Sequence, residues 1–219
     1  MGALLTLALL VVLGIAAAAR ATRAGLRSAR ARRLARQVPT PIARLRRDEV
    51  VRVTGRVAID GTPLLRSPIE GRPCVGYYVG VDFFDASRHH VPRWFPVTEE
   101  TVVAPFRVIG DDGSTVEIDA DRYDLELHFV ETGRVLEPPA DRVGQVLRRR
   151  GEDRRFSARN LAYVEVALEP GARVSVVGAV LRPPVSGAGA YRRSSRAAEL
   201  GPIEAGAPIR VELEAPPEG

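Results

Sequence analysis

From about residue 48 onward, apolar and polar residues alternate with a period of two. Val51, Val53, Gly55 and Val57 share one face of a strand that ends at Asp60-Gly61, a hairpin dipeptide. Strand-like runs follow at residues 74–84, 101–109, 115–118, 125–129, 162–168, 173–181 and 209–213, and Asp112-Gly113 marks a second tight turn. One segment has helical spacing instead. Residues 141–150 place Val143, Val146 and Leu147 on one face, with Asp141 near the start, three Arg in the last turn and Gly151 just beyond. The pattern predicts a mainly β domain over residues 48–219 with one short helix.

A short echo within the domain bears on its architecture. Val51-x-Val53-x-Gly55-x-Val57 recurs as Val174-x-Val176-x-Gly178-x-Val180. Each glycine sits on the valine face, where the missing side chain lets a strand bend sharply or bulge, as small barrels require. About eight short strands with such bends predict an OB-like barrel or a barrel-like sandwich.

The first 47 residues follow different rules. Residues 3–19 carry no charge and make about 26 Å of helix at 1.5 Å per residue, just short of a ~30 Å hydrocarbon core. A cleaved signal peptide would carry basic residues ahead of its apolar stretch, whereas here they follow it. Residues 1–19 are therefore read as a transmembrane anchor. Arg20, Arg23, Arg27, Arg30, Arg32, Arg33 and Arg36 place the C-terminal side in the cytoplasm by the positive-inside rule. Residues 20–37 read either as a basic surface helix attracted to anionic lipid headgroups or as a solvated helical stalk whose Arg only set topology. Val38-Pro39-Thr40-Pro41 stops that helix, because proline cannot continue it.

Composition narrows the function classes. The 219 residues, less the anchor, suit one domain, and 45% hydrophobic with 27% charged residues exclude disorder throughout. All 32 basic residues are Arg, a skew that reads first as the habit of a GC-rich genome. The ten between Arg20 and Arg47 have no acid among them, which leaves 22 Arg against 27 Asp and Glu elsewhere. The pI of about 10.1 thus describes a basic collar beside an acidic domain, which argues against nucleic acid as a partner. Cys74 is the one cysteine, so neither a disulfide framework nor a RING-type zinc site can be built.

Candidate chemistry is sparse. Cys74 could act as a nucleophile only with a base such as His89, His90 or His128, and its place in the apolar run Val75-Gly76-Tyr77-Tyr78-Val79 points to the core instead. His89-His90 with Asp82, Asp85 or Glu99 could ligate a metal, but adjacent His side chains rarely converge on one ion. Ser67, before Pro68, reads as a turn residue. Tyr77, Tyr78, Phe83, Phe84, Trp94 and Phe95 are half of the twelve aromatics. Residues 85–97 have loop composition and are expected to present Arg93, Trp94 and Phe95 as a partner contact, the alternative being a Trp lid over one end of the barrel. No catalytic residue, metal or cofactor is assigned. Three function classes stand: a membrane-anchored non-catalytic binding or scaffold module with an unidentified protein partner, an oligonucleotide-binding barrel, and a hydrolase built on Cys74 or metal enzyme built on the His pair.

The series V-R-V-T-G-R-V, P-L-L-R-S-P-I-E-G-R-P-C-V-G-Y-Y (residues 63–78), the loop with Trp94, F-R-V-I-G-D-D-G-S-T-V-E-I-D (residues 106–119) and Y-V-E-V-A-L-E-P-G-A-R-V-S-V-V-G (residues 163–178) carries a resemblance. Over residues 49–214 the chain is similar to the membrane-side domain of the mitochondrial RING-type ubiquitin ligase family, the GIDE or "beside a membrane" domain. S-P-x-x-G-x-P-C-V-x-Y is its distinctive piece. The resemblance implies an accessory domain held against a membrane for ligand or partner contact, with ligase activity in a C-terminal RING. This sequence carries no RING ligand set after residue 214, so the accessory domain is expected here without the ligase.

Overall fold

The computed structural model describes residues 38–59, 61, 63–85, 93–129, 135–136, 139–152, 160–184 and 197–214. The expected anchor, the collar from Arg20 to Arg36, and His89-His90 lie outside the described residues. Among those described, no helix is long and apolar enough to cross a membrane.

The strands are β1 (Val50–Ala58), β2 (Leu65–Arg66), β3 (Pro73–Cys74), β4 (Gly76–Asp85), β5 (Arg93–Val103), β6 (Phe106–Ile109), β7 (Thr115–Ile118), β8 (Leu125–His128), β9 (Val135–Leu136), β10 (Leu161–Leu168), β11 (Arg173–Arg182), β12 (Ala198–Gly201) and β13 (Ile209–Leu213). One helix, α1 (Ala140–Arg149), lies between β9 and β10, close to the expected span. β1, β6, β7, β12 and β11 are hydrogen-bonded in that order, and β11 pairs back to β1, which closes a five-stranded barrel. The β7–β12 pair is parallel and the other four are antiparallel. β13 adds to β11, and β8 adds to β13 in parallel.

The two copies of the valine pattern are the antiparallel pair that closes the barrel: Val51 lies opposite Gly178, and Gly55 opposite Val174. A Cβ on Gly55 would stand 2.3 Å from the Ile109 carbonyl oxygen, and one on Gly178 would stand 2.8 Å from that of Gly201. Gly178 also marks the handover on β11 from β13, which pairs through Val177, to β12, which pairs from Ala179. Both glycines thus sit where a neighbouring backbone crosses too close for any side chain, the corner role that the sequence indicates.

Alternation explains the core. Val51, Val53, Val57, Val174, Val176 and Val180 point inward with Phe106, Val108, Val116, Ile118 and Leu200. Each fully buried aliphatic side chain contributes roughly 1.5–3 kcal/mol. A second core forms where α1 lays Val143, Val146 and Leu147 on one face of the sheet β5-β4-β10-β9, against Tyr77, Val79 and Val81 of β4 and Leu161, Tyr163 and Ala167 of β10.

Several expectations are corrected. Packing begins before Asp48: Ile42 and Leu45, 2% and 4% exposed, fill the barrel core, and the compact unit starts at Pro39. Asp60 of the expected Asp60-Gly61 turn lies outside the described residues; among those described, β1 pairs with β6 and β11 while β2 pairs with β3. The run at 101–109 is two strands, because it breaks at Ala104-Pro105, where proline has no N–H to give and the chain leaves one sheet for the barrel. The run at 74–84 breaks at Val75, whose N–H and carbonyl bond Leu168 and Ala104. β12 has too few residues to show a period.

Candidate functional site

The expected contact residues fall in a strand, not in a loop. Arg93, Trp94 and Phe95 open β5 and pair with Asp85, Phe84 and Phe83 of β4. The β propensity of aromatics, met by an aromatic partner directly opposite, outweighs the loop-like composition around them. The Trp94 and Phe84 rings lie 5.1 Å apart and tilted by 45°, both half-buried. Alternation puts Phe83 on the opposite face, where it packs on the α1-covered core. The exposed Arg93 guanidinium stacks 4.2 Å over the Phe95 ring. Trp94 therefore belongs to an aromatic rung on the β4–β5 arm.

The hairpin of β2 and β3 holds a polar cluster that the sequence did not reveal. Glu165, 7% exposed, lies on β10 among apolar neighbours. Its carboxylate accepts the Ser67 hydroxyl at 2.7 Å, the Ile69 N–H at 2.7 Å and the Glu70 N–H at 2.9 Å. Arg72 bonds the Glu165 carbonyl at 3.3 Å and pairs with Glu70 at 2.9 Å and Glu169 at 3.3 Å. Arg142 of α1 donates to the Ile69 carbonyl at 2.6 Å. The turn expected at Ser67 is present, but its purpose is to wrap donors around a carboxylate 98 residues away. A buried charge is tolerable there because the loop supplies charge-assisted hydrogen bonds. Only the alternation of β10, which places Glu165 in line with Tyr163 and Ala167, could have pointed to it.

Cys74 is fully buried between the hairpin and α1, and burial pushes its thiol above the usual range. A thiol held protonated and out of solvent is a poor nucleophile. His128 lies 3.1 Å from Glu126 on β8. Asp82 and Asp85 are on β4, while Glu99 on β5 offers its carbonyl to Arg150 at 2.7 Å. Among the described residues, no group of three or more potential ligands could hold a metal ion.

Many of the barrel's outward charges pair with one another. Arg107 meets Glu117 at 3.1 Å, Glu117 meets Arg182 at 2.7 Å, and Arg182 meets Glu199 at 3.1 Å, a ladder across β6, β7, β11 and β12. Arg173 is divided between Asp111 at 3.1 Å and Glu214 at 3.0 Å, and that pairing holds the Asp111 carboxyl below its ordinary pKa. Arg210 pairs with Glu212 at 2.7 Å. A cleft of about 250 Å³ opens between Pro39–Ile42, Thr54 and the Gly110–Asp112 turn, with no titratable groups but Asp111 and Asp112. No family model, curated protein or solved structure matches the chain.

Proposed function

We propose that the chain is a membrane-tethered, non-catalytic binding module, in which residues 1–19 anchor an OB-like barrel and the β4–β5 arm presents a contact surface. The strand order β1-β6-β7-β12-β11 with a parallel β7–β12 closure supports the OB-like reading. The observation that carries the binding role is the half-buried Phe84–Trp94 rung on one face of the arm, with Arg93 stacked on Phe95 on the other face. Large, rigid aromatic side chains and multidentate Arg donors are both enriched among interaction anchors. The organisation follows the membrane-side accessory domain of RING-type ubiquitin ligases, by residue pattern alone.

Oligonucleotide binding is the second reading, since small barrels of this kind also hold single strands. Against it, Arg107, Arg182 and Arg210 of the barrel are occupied by carboxylates, and phosphate binding there would first have to break those pairs. A photoreactive amino acid placed at Trp94 in the full-length protein tests the binding role in native membranes. One recurrent adduct, absent when the same group is placed at Asp121, supports it. Equal, nonspecific labelling at the two positions removes it.

A further inference from the structure

We propose that the segment from Ile42 to Arg47 is a docking foot through which the folded unit rests on anionic lipid headgroups; this deepens, and rests on, the membrane-tethered reading. Ile42 and Leu45 are buried in the barrel core, so the residues around them, Ala43, Arg44, Arg46 and Arg47, face out and are exposed. The segment is fixed rather than trailing. The Thr40 N–H donates to the Arg52 carbonyl at 2.7 Å, the Arg44 N–H to Pro41 at 2.9 Å, and the Arg47 guanidinium to the Leu181 carbonyl at 3.3 Å.

What separates Arg44 and Arg46 from the barrel-wall arginines is their partners: Arg56 bonds the Gly171 carbonyl at 3.1 Å. Arg107, Arg173, Arg182 and Arg210 are each paired with a carboxylate. Arg44 and Arg46 have no side-chain partner among the described residues, although Asp48 and Glu49 follow closely in the chain. Two guanidinium groups without a side-chain partner among the described residues, and a third bound only to a carbonyl, are thus held on a fixed mount. An anionic surface supplies the missing counter-charge, and Arg binds phosphate in a bidentate manner.

The tether makes so small a patch effective. Arg44 is eight residues past Arg36, a span of at most about 28 Å. A membrane-held collar therefore presents the foot to lipid at high effective concentration. Each Arg near an anionic surface changes the contact equilibrium roughly fivefold. Screening over a Debye length of about 8 Å makes the contact salt-sensitive.

The test uses full-length protein carrying Ala43→Cys labelled with a polarity-sensitive fluorophore, since the native Cys74 is buried. It is reconstituted into vesicles of phosphatidylcholine, with or without phosphatidylglycerol. The proposal expects blue-shifted emission only with phosphatidylglycerol, reversed by salt and lost in Arg44→Gln/Arg46→Gln, a variant that removes no side-chain hydrogen bond or ion pair among the described residues. Emission that is the same in the two vesicle types, or unchanged by the double substitution, overturns it. Failure to co-sediment with either vesicle overturns the tethered reading itself and the foot with it. Co-sedimentation without an emission change overturns the foot alone.

Discussion

The Ser67 hydroxyl donates to the buried Glu165 carboxylate at 2.7 Å, joining the β2–β3 hairpin to the sheet that α1 covers. Two backbone N–H groups of the same loop complete the carboxylate's shell. Loss of either side chain leaves a buried polar group without its partner, which costs more than the net value of the bond.

Ser67→Ala should therefore cost about 1–3 kcal/mol of stability, and Glu165→Ala about 3 kcal/mol or more because it orphans three donors at once. In urea unfolding the double variant should cost less than the sum of the singles. Strict additivity would show that the two residues act independently.

The barrel corners give a second expectation. Gly55→Ala and Gly178→Ala should each cost about 1–3 kcal/mol, since the new methyl would meet a carbonyl oxygen of the neighbouring strand. Circular dichroism melts that show either substitution to be neutral would remove the close approach from the account.

These glycines also show how far the sequence could be read. A repeated V-x-V-x-G-x-V is visible because barrel strands need both an inward valine face and a gap where backbones cross. That the two copies pair with each other, Val51 to Gly178, is long-range information that no local period carries. The α1 helix was legible from its spacing and from Asp141. Arg93–Phe95 were misread because loop and edge strand share a composition, and the aromatic partners that decide for the strand lie across the sheet. Glu165 was missed because a carboxylate on a buried face is recognisable only with its donors in place. The roles of the first 37 residues rest on their charge pattern alone.

Alkaline pH should weaken the fold through its buried acids. Burial raises the Cys74 thiol, and burial together with Glu100 raises the Tyr77 phenol, whose hydroxyl donates to Glu100 at 2.6 Å. A raised folded-state pKa gives stability that is complete below the unfolded value and lost as pH climbs toward the folded one. The decline should begin near pH 9 for the thiol and near pH 10 for the phenol, about their ordinary values. Tyr77→Phe should lower stability near neutral pH by about 1 kcal/mol. It should also flatten the alkaline limb of a stability–pH curve, and an unaltered limb would contradict the assignment.

Trp94→Ala should cost about 1–2 kcal/mol, the value of an aromatic pair plus partial burial. A loss of about 3–5 kcal/mol in thermal unfolding would mark a core residue, and would remove the β4–β5 arm as a contact surface.

Alkaline carbonate extraction of cells expressing the full chain, beside cells expressing residues 39–219 alone, tests the tethered module most directly. The account expects the full chain in the membrane pellet and the shorter one in the supernatant, folded and with a cooperative melt. Recovery of the full chain in the supernatant would contradict it.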